Sequence, residues 1–378
     1  MSNLYEYETP CGEKKRGLAD YSNELLDNNY DIFDINEHII REGSKIIYKN
    51  ILFDDMKIPF HLTLEKDLKN GINDIEIINC IFEKDVFINK EFANLSLKNC
   101  CFEGKFYINN QYNNPDKVLE IDSLNIQDTK FHANFKLHNS EVKHFVLKDT
   151  DFEKNADFFR TKFLTTEDIV FHTINFRALA LFGETVFSEY LIFKYVTFGG
   201  YSHFREAVFK KGLNLEYANI EKEMNFFGIK ELDEETSIEN TNQETYRIVK
   251  YQLQKVGNNI DSNKYHALEL EKKRKKVCDK SCKDKKFLAD CIVLNIHKIS
   301  SNYSTNWLFA LGWIFVVGLI FNLYITNELL SMNIFKYISL LTNKEDFCAN
   351  YLLFGLNKVI LGYLYYQFVT AMRKDTRK

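Results

Sequence analysis

Cys278, Cys282, Cys291 and His297 are the residues of this 378-residue chain whose types and grouping invite a metal reading. Thiolate and imidazole are the usual zinc ligands, and four of them close a tetrahedral structural site. The spacing here, Cys-x3-Cys-x8-Cys-x5-His, is not that of a zinc knuckle, so no metal is expected. The eight Cys as a set follow no disulfide-framework spacing. The nine His and many carboxylates are scattered, with no nucleophile elbow, phosphate loop or metal-binding helix motif. Neither catalysis nor a cofactor is therefore expected. His132, His138 and His144 recur every six residues and read as repeat geometry along one outer face. The run KKRKKVCDKSCKDKK, residues 272–286, sets nine basic residues against two acidic ones. Its densest part is Lys272, Lys273, Arg274, Lys275 and Lys276. Beside a bilayer each such side chain is worth about 1 kcal/mol with anionic headgroups. A solvated helix end is the other reading, and both stand.

The elements that must carry these residues begin with an uncharged stretch of 22 residues, TNWLFALGWIFVVGLIFNLYIT, residues 305–326. As a helix it spans about 30 Å of hydrocarbon, which predicts a transmembrane helix. A second stretch, residues 351–372, is as long but carries Asn357, Lys358 and Gln367. Lys358 falls about 10 Å below the outer end of that helix at 1.5 Å per residue. A charge at that depth faces another helix or a water-filled path, unless it snorkels from a shifted span. Asn357 and Gln367 read as polar glue between helices. Basic residues flank the pair on both outer sides: Lys283, Lys285, Lys286 and Lys298 before it, and Arg373, Lys374, Arg377 and Lys378 after it. By the positive-inside rule both termini are expected in the cytoplasm, with the chain in a bacterial inner membrane. The opening residues lack the apolar core of a signal peptide.

Upstream, LIFKYVTFGGYSHFREAVFKKGLNLEYANI, residues 191–220, returns a large apolar residue at Phe193, Phe198, Phe204, Phe209, Leu215 and Ile220. Gaps of five and six fit neither a helix nor a simple strand; they are a repeat period, and short repeats are stable only when stacked. Phe171, Phe176, Phe182, Phe187 and Phe226 continue it. Ile72, Ile77, Phe82, Phe87, Phe92, Leu97, Phe102 and Tyr107 keep a plain five-residue step. Cys80-Ile81-Phe82, Cys100-Cys101-Phe102 and Ala207-Val208-Phe209 put a small residue two places before the large one. In this the chain resembles the pentapeptide-repeat family, which implies a right-handed quadrilateral β-helix. Asp85, Lys90 and Lys105 depart from the pattern, because a tube interior refuses charge. The resemblance covers roughly residues 72–229, with loops near QYNNPDKVLE and LTTEDIV. At about 22 residues and about 4.8 Å per turn it implies about seven turns and a rod of roughly 34 Å.

Between rod and membrane stretch, Tyr246, Val249, Leu253 and Val256 form an apolar stripe that stops at Gly257. Asp261 is positioned to cap a second helix containing Tyr265 and Leu268. Tyr246, Arg247, Lys250, Gly257, Asn258, Ala267 and Glu269 resemble the helical hairpin of a membrane-anchored subset of that family, whose two-helix membrane domain is likened to ion channels. SSNYSTNWLFALGWI and YLYYQFVTAMRK resemble it as well. The stretch between the two spans holds an amphipathic run, Ile334 to Leu341, but no glycine, and so no potassium-filter strand.

The expected organisation is a mixed cap over 1–70, a β-helix over 71–230, a helical hairpin and basic juxtamembrane helix over 241–300, and a transmembrane hairpin over 301–378. The expected function is non-enzymatic: a membrane-anchored scaffold whose cytosolic β-helix, with reduced thiols, binds a protein partner. The alternative is the regulatory rod of an oligomeric ion-conducting pore, so a homo-oligomer fits. A DNA-mimic that binds topoisomerase is a further alternative. Residues 71–240 hold only 19 Lys and Arg against 28 Asp and Glu, a mild and mixed balance. Nucleic acid is not expected as a partner of a basic run held this close to lipid.

Overall fold

The computed structural model describes residues 7–8, 14–15, 39–53, 60–109, 117–282, 284–327, 333–347 and 350–376. The amphipathic stretch of the N-terminal cap up to residue 38, most of the QYNNPDK loop, and Lys283, Arg377 and Lys378 lie outside them. The chain divides into two compact units, Met1–Thr245 and Tyr246–Lys378.

The first unit is a β-helix of about seven turns. Its strands pair in parallel with the equivalent strand one turn on. Asp74–Ile78, for example, lies between Lys45–Lys49 and Asn94–Lys98. The ladder therefore already includes residues of the 1–70 segment. Because side chains alternate across a strand, one set points inward. Tyr48, Ile77, Leu97, Ile126, Leu147, Phe171 and Phe193 follow one another in register and are buried.

The periodic Phe residues stack from turn to turn. Phe53, Phe82, Phe102, Phe131, Phe152, Phe176 and Phe198 form a column of near-parallel rings 4.5–5.4 Å apart. Phe158, Phe182, Phe204 and Phe226 form another, at 4.8–5.4 Å. The spacing is that of neighbouring strands, so one backbone repeat sets both the ladder and the ring stack. Equivalent residues are 20 apart at Asn79 and Asn99 and 22 apart at Glu189 and Lys211. That lengthening turns the plain five-residue step into the five-six alternation.

Each turn needs corners. Asn50, Asn79, Asn99, Asp128 and Asp149 occupy one of them with φ between 47° and 56°. Asn and Asp tolerate this left-handed conformation better than other side-chain-bearing residues. The asparagines also link turns, Asn79 Nδ2 donating to Asn50 Oδ1 at 2.9 Å and Asn99 Nδ2 to Asn79 Oδ1 at 2.6 Å.

Two expectations are corrected here. Phe87 is not inward: Val86 and Ile88 are the buried residues of its strand, and Phe87 packs outside, 5.5 Å from Tyr107. With that shift Asp85 and Lys105 fall outside too, and the Lys105 amide donates to Asp85 Oδ1 at 2.8 Å. Nor do His132, His138 and His144 share a face. They follow one another around a single turn, His132 just after strand Lys130–Phe131, His138 just after Phe135–Leu137 and His144 within Ser140–Phe152, three strands paired in different ladders.

Both ends of the tube are covered. Helix α1, Phe60–Lys69, buries Phe60 and Leu64 and sets the Phe60 ring 4.7 Å from Phe53 and 4.9 Å from Phe82. At the other end helix α2, Glu235–Asn240, starts a row of hydroxyls four residues apart. Ser237 Oγ donates to Phe209 O at 2.7 Å, while Thr241 and Thr245 Oγ1 accept from the amides of Leu213 and Leu215 at 3.1 and 2.9 Å. A Cβ on Gly212 would sit 2.7 Å from Thr241 Oγ1, and its φ of 104° suits glycine alone.

The second unit is helical, with the division between the units falling inside α3, Gln243–Lys255. Then come α4, Asn259–Ser281; α5, Leu288–Ser301; α6, Trp307–Thr326; α7, Ile334–Ile338; and α8, Tyr351–Thr376. The α3 stripe buries Tyr246, Val249 and Leu253, whereas Val256 is exposed, because the chain leaves the helix at Gly257 with φ 79°. Asn258, not Asp261, caps α4. Its Oδ1 accepts from the Asp261 amide, and its Nδ2 donates to the Asp261 carboxylate at 2.7 Å. Helices α6 and α8 are long and apolar enough to cross a membrane.

Candidate functional site

The polar residues of α8 are the best candidates, and the structure gives each a partner. Asn357 Nδ2 donates to Tyr337 O at 3.1 Å, Tyr365 Oη to Ile338 O at 3.0 Å, and Lys358 Nζ to Ser339 O at 2.7 Å. These are three successive carbonyls at the C-terminal end of α7, where a helix leaves its acceptors unpaired and its dipole is negative. The Lys358 ammonium also lies 5.7 Å from the Phe347 ring centre and 5.4 Å from that of Phe354. Lys358 thus acts as a cap for a short helix. Close approach of α6 completes the arrangement: a Cβ on Gly318 would meet Ile338 Cγ2 at 2.3 Å. The amphipathic run predicted over 334–341 is helical only to Ile338, and Leu341 is exposed.

Gln367 belongs to a second cluster, at the other end of the hairpin. Its Oε1 accepts from Ser304 Oγ at 2.6 Å and from Ser301 Oγ at 2.9 Å. These serines flank the link from α5 to α6, where Asn302, Tyr303 and Ser304 have successive φ values of 46°, 60° and 59°. Three left-handed residues in a row are costly without glycine, and the surroundings hold them. Tyr303 Oη donates to Glu271 at 2.7 Å, and the Ser304 amide donates to Ser301 Oγ at 2.9 Å. Lys298 at 2.9 Å and Arg274 at 2.7 Å also reach the Glu271 carboxylate. Burial alone would raise the Glu271 pKa; the hydrogen bonds from Arg274, Lys298 and Tyr303 outweigh it and hold it at about 2. Burial, with the Lys374 charge, pushes the His297 pKa below its ordinary value.

Two of the residues that carry the hairpin resemblance, Arg247 and Lys250, meet a third at Glu269. Arg247 Nε donates to it at 3.0 Å and Lys250 Nζ at 2.7 Å, while Tyr246 packs 6.2 Å from Tyr265. They tie α3 to α4.

The basic run divides in two. Arg274 is committed to Glu271 and to Asn295 Oδ1 at 3.0 Å, and Lys272 is partly covered. Lys273, Lys275 and Lys276 are exposed. The four candidate metal ligands do not converge. Cys278 and Cys291 form a disulfide between α4 and α5, Cys282 is an exposed free thiol, and His297 Nε2 sits 3.1 Å from Ser304 Oγ. With two of the sulfurs bonded to each other, the quartet cannot close around an ion. The spacing did not foretell the pair, since it depends on how two consecutive helices lie against each other. Cys80, Cys100 and Cys101 of the solenoid are free thiols.

Sequence reading missed a further feature. Leu288, Ile292, Val293, Ile296 and Ile299 leave an apolar stripe of α5 exposed. The stripe borders a cleft of about 590 Å³ between α5, α6 and α8, lined among others by Trp313, Val317, Val359 and Leu364. The spacing of these residues is helical and is legible in the sequence.

Compared with models of known protein families, with curated proteins and with solved structures, the chain matches none.

Proposed function

We propose that the chain is a membrane-anchored, non-enzymatic scaffold whose outer solenoid walls bind a protein partner in the cytosol. The solenoid would be the right-handed quadrilateral form of the pentapeptide-repeat type, and α6 and α8 a hairpin in a bacterial inner membrane with both termini inside. One observation carries the choice of anchor over pore: Asn357, Lys358 and Tyr365 all close onto the end of α7. A polar residue spent on a backbone carbonyl is not presented to a conducted ion. The solenoid interior is filled by stacked rings, which leaves its outer walls as the surface for a partner. The exposed stripe of α5 and the exposed lysines 273, 275 and 276 suit the acyl and headgroup layers of the same bilayer.

The Cys278–Cys291 disulfide pulls the other way on orientation, since such bonds persist in oxidising compartments. The proposal follows the basic flanks, which act on topology during insertion. Reporters fused at the C-terminus decide the point; activity on the outer side would reject the orientation. The anchor reading is tested by reconstituting the full chain in planar bilayers, wild type against Lys358→Leu. Neither is expected to conduct. A wild-type current that the substitution alters would replace the anchor with the pore.

A further inference from the structure

Cys101, Glu103 and His132 lie on the outer wall of the solenoid, and their ligand atoms are all within 4.8 Å of one another. The repeat puts them there. Phe102 and Phe131 are paired partners on successive turns, stacked inside at 5.1 Å. The residues on either side of an inward ring must point outward. Cys101 and Glu103 therefore flank Phe102 on one turn, while His132 follows Phe131 on the next.

The imidazole is oriented. Its Nδ1 lies 2.9 Å from Glu153 Oε2, and Glu153 is held in turn by Lys130 at 3.1 Å. An Nδ1–H donated to Glu153 leaves the Nε2 lone pair on the other side, 3.4 Å from Glu103 Oε1. The Cys101 thiol reaches the same carboxylate oxygen at 3.6 Å. A carboxylate behind a histidine whose far nitrogen meets a thiol and a second carboxylate is the arrangement that metal sites use to fix the ligating tautomer.

We propose that Cys101 Sγ, His132 Nε2 and a Glu103 carboxylate oxygen form a zinc site on the solenoid wall, with solvent water as fourth ligand. One sulfur, one nitrogen and one hard oxygen suit a borderline-soft ion in tetrahedral geometry. On binding, the S–H bond of Cys101 is replaced by S–Zn and the proton leaves to solvent. Glu153 is a positioning residue, because it acts through His132. The site does not depend on the scaffold reading.

The test uses the full chain in detergent, with the Cys278–Cys291 disulfide left intact, titrated with cobalt(II) alone and then with zinc(II). The expected result is a tetrahedral cobalt spectrum with a thiolate charge-transfer band, which one equivalent of zinc abolishes. Cys101→Ser should lose the charge-transfer band. His132→Ala should weaken binding at least about 10-fold, and Glu153→Gln about 10- to 100-fold. Cys282→Ser, which removes the exposed thiol of the other unit, should leave the spectrum unchanged. Circular dichroism establishes that each variant is folded, and His132→Gln stands in if the alanine form is not. Absence of the tetrahedral spectrum from the wild type, or persistence of the thiolate charge-transfer band in Cys101→Ser, would overturn the site. Equal affinity of wild type and Glu153→Gln would overturn the positioning role.

Discussion

The two units distribute their apolar and polar side chains in opposite ways. In the solenoid the stacked phenylalanine columns are inside and charged residues are paired along the outer walls, as in Lys162 with Glu141 at 2.7 Å and Arg177 with Asp151 at 2.6 Å. In the hairpin of α6 and α8 the buried set includes Asn322, Asn357 and Gln367, while Phe309, Ile320, Leu352, Val359 and Val369 are exposed. Large apolar side chains left outside while amides are kept inside are what the proposed membrane hairpin requires. The difference teaches that which residues a unit leaves exposed distinguishes the two units as sharply as their secondary structure does.

The largest expected effect comes from violating the solenoid side of this contrast. Phe204→Asp removes a ring stacked 4.8 Å from Phe182 and 5.4 Å from Phe226 and buries a carboxylate in its place. It should cost more than about 3 kcal/mol. Urea unfolding followed by near-ultraviolet signals of the solenoid checks this; a wild-type midpoint would mean that the ring is not in the core. The same acid placed on the hairpin, Ile320→Asp, replaces a side chain that is mostly exposed. If lipid surrounds that face, insertion should be disfavoured by about 3 kcal/mol. The fraction resisting carbonate extraction would then drop, whereas an unchanged fraction would show that α6 does not face lipid.

Acid should separate the units next. The folded-state pKa of Glu271, about 2, lies below its unfolded value, so its contribution is complete above about pH 4.5 and is lost as pH falls toward 2. The carboxylate is mostly covered, and about 2 kcal/mol of helical-unit stability should disappear over that window. Thermal melts of wild type and Glu271→Gln should converge at low pH. If the gap between them is flat from pH 6 to 3, the Tyr303–Lys298–Arg274 cluster is not what holds the link. The smallest effect is expected for Tyr365→Phe, about 1 kcal/mol, because one of three carbonyl contacts at the end of α7 is removed. Faster proteolysis within residues 333–347 is the readout.

How far these features were legible follows from their range. The stacked rings were readable because each repeat position is visible in the local spacing, and Phe193, Phe204 and Phe209 are all fully buried. The five-residue step failed at Phe87, where a three-residue strand turns both of its ends inward. Lys358 was conspicuous as a charge in an apolar stretch, yet its partner, the carbonyl of Ser339, belongs to the backbone and leaves no mark in residue types. The Cys278–Cys291 pair and the hydroxyl row at Ser237, Thr241 and Thr245 were hidden for the same reason: each depends on which surface a helix meets.

That hydroxyl row has a consequence for solution behaviour. A parallel ladder that ended at residues 209–215 would offer its amides and carbonyls to any other strand, including the first turn of another molecule. Such a contact is head-to-tail and does not close on itself, so copies would add one after another into a fibre. Ser237, Thr241 and Thr245 engage Phe209 O and the Leu213 and Leu215 amides before a neighbour can. Three short side chains thereby occupy the edge at Phe209, Leu213 and Leu215, where such an addition would otherwise begin.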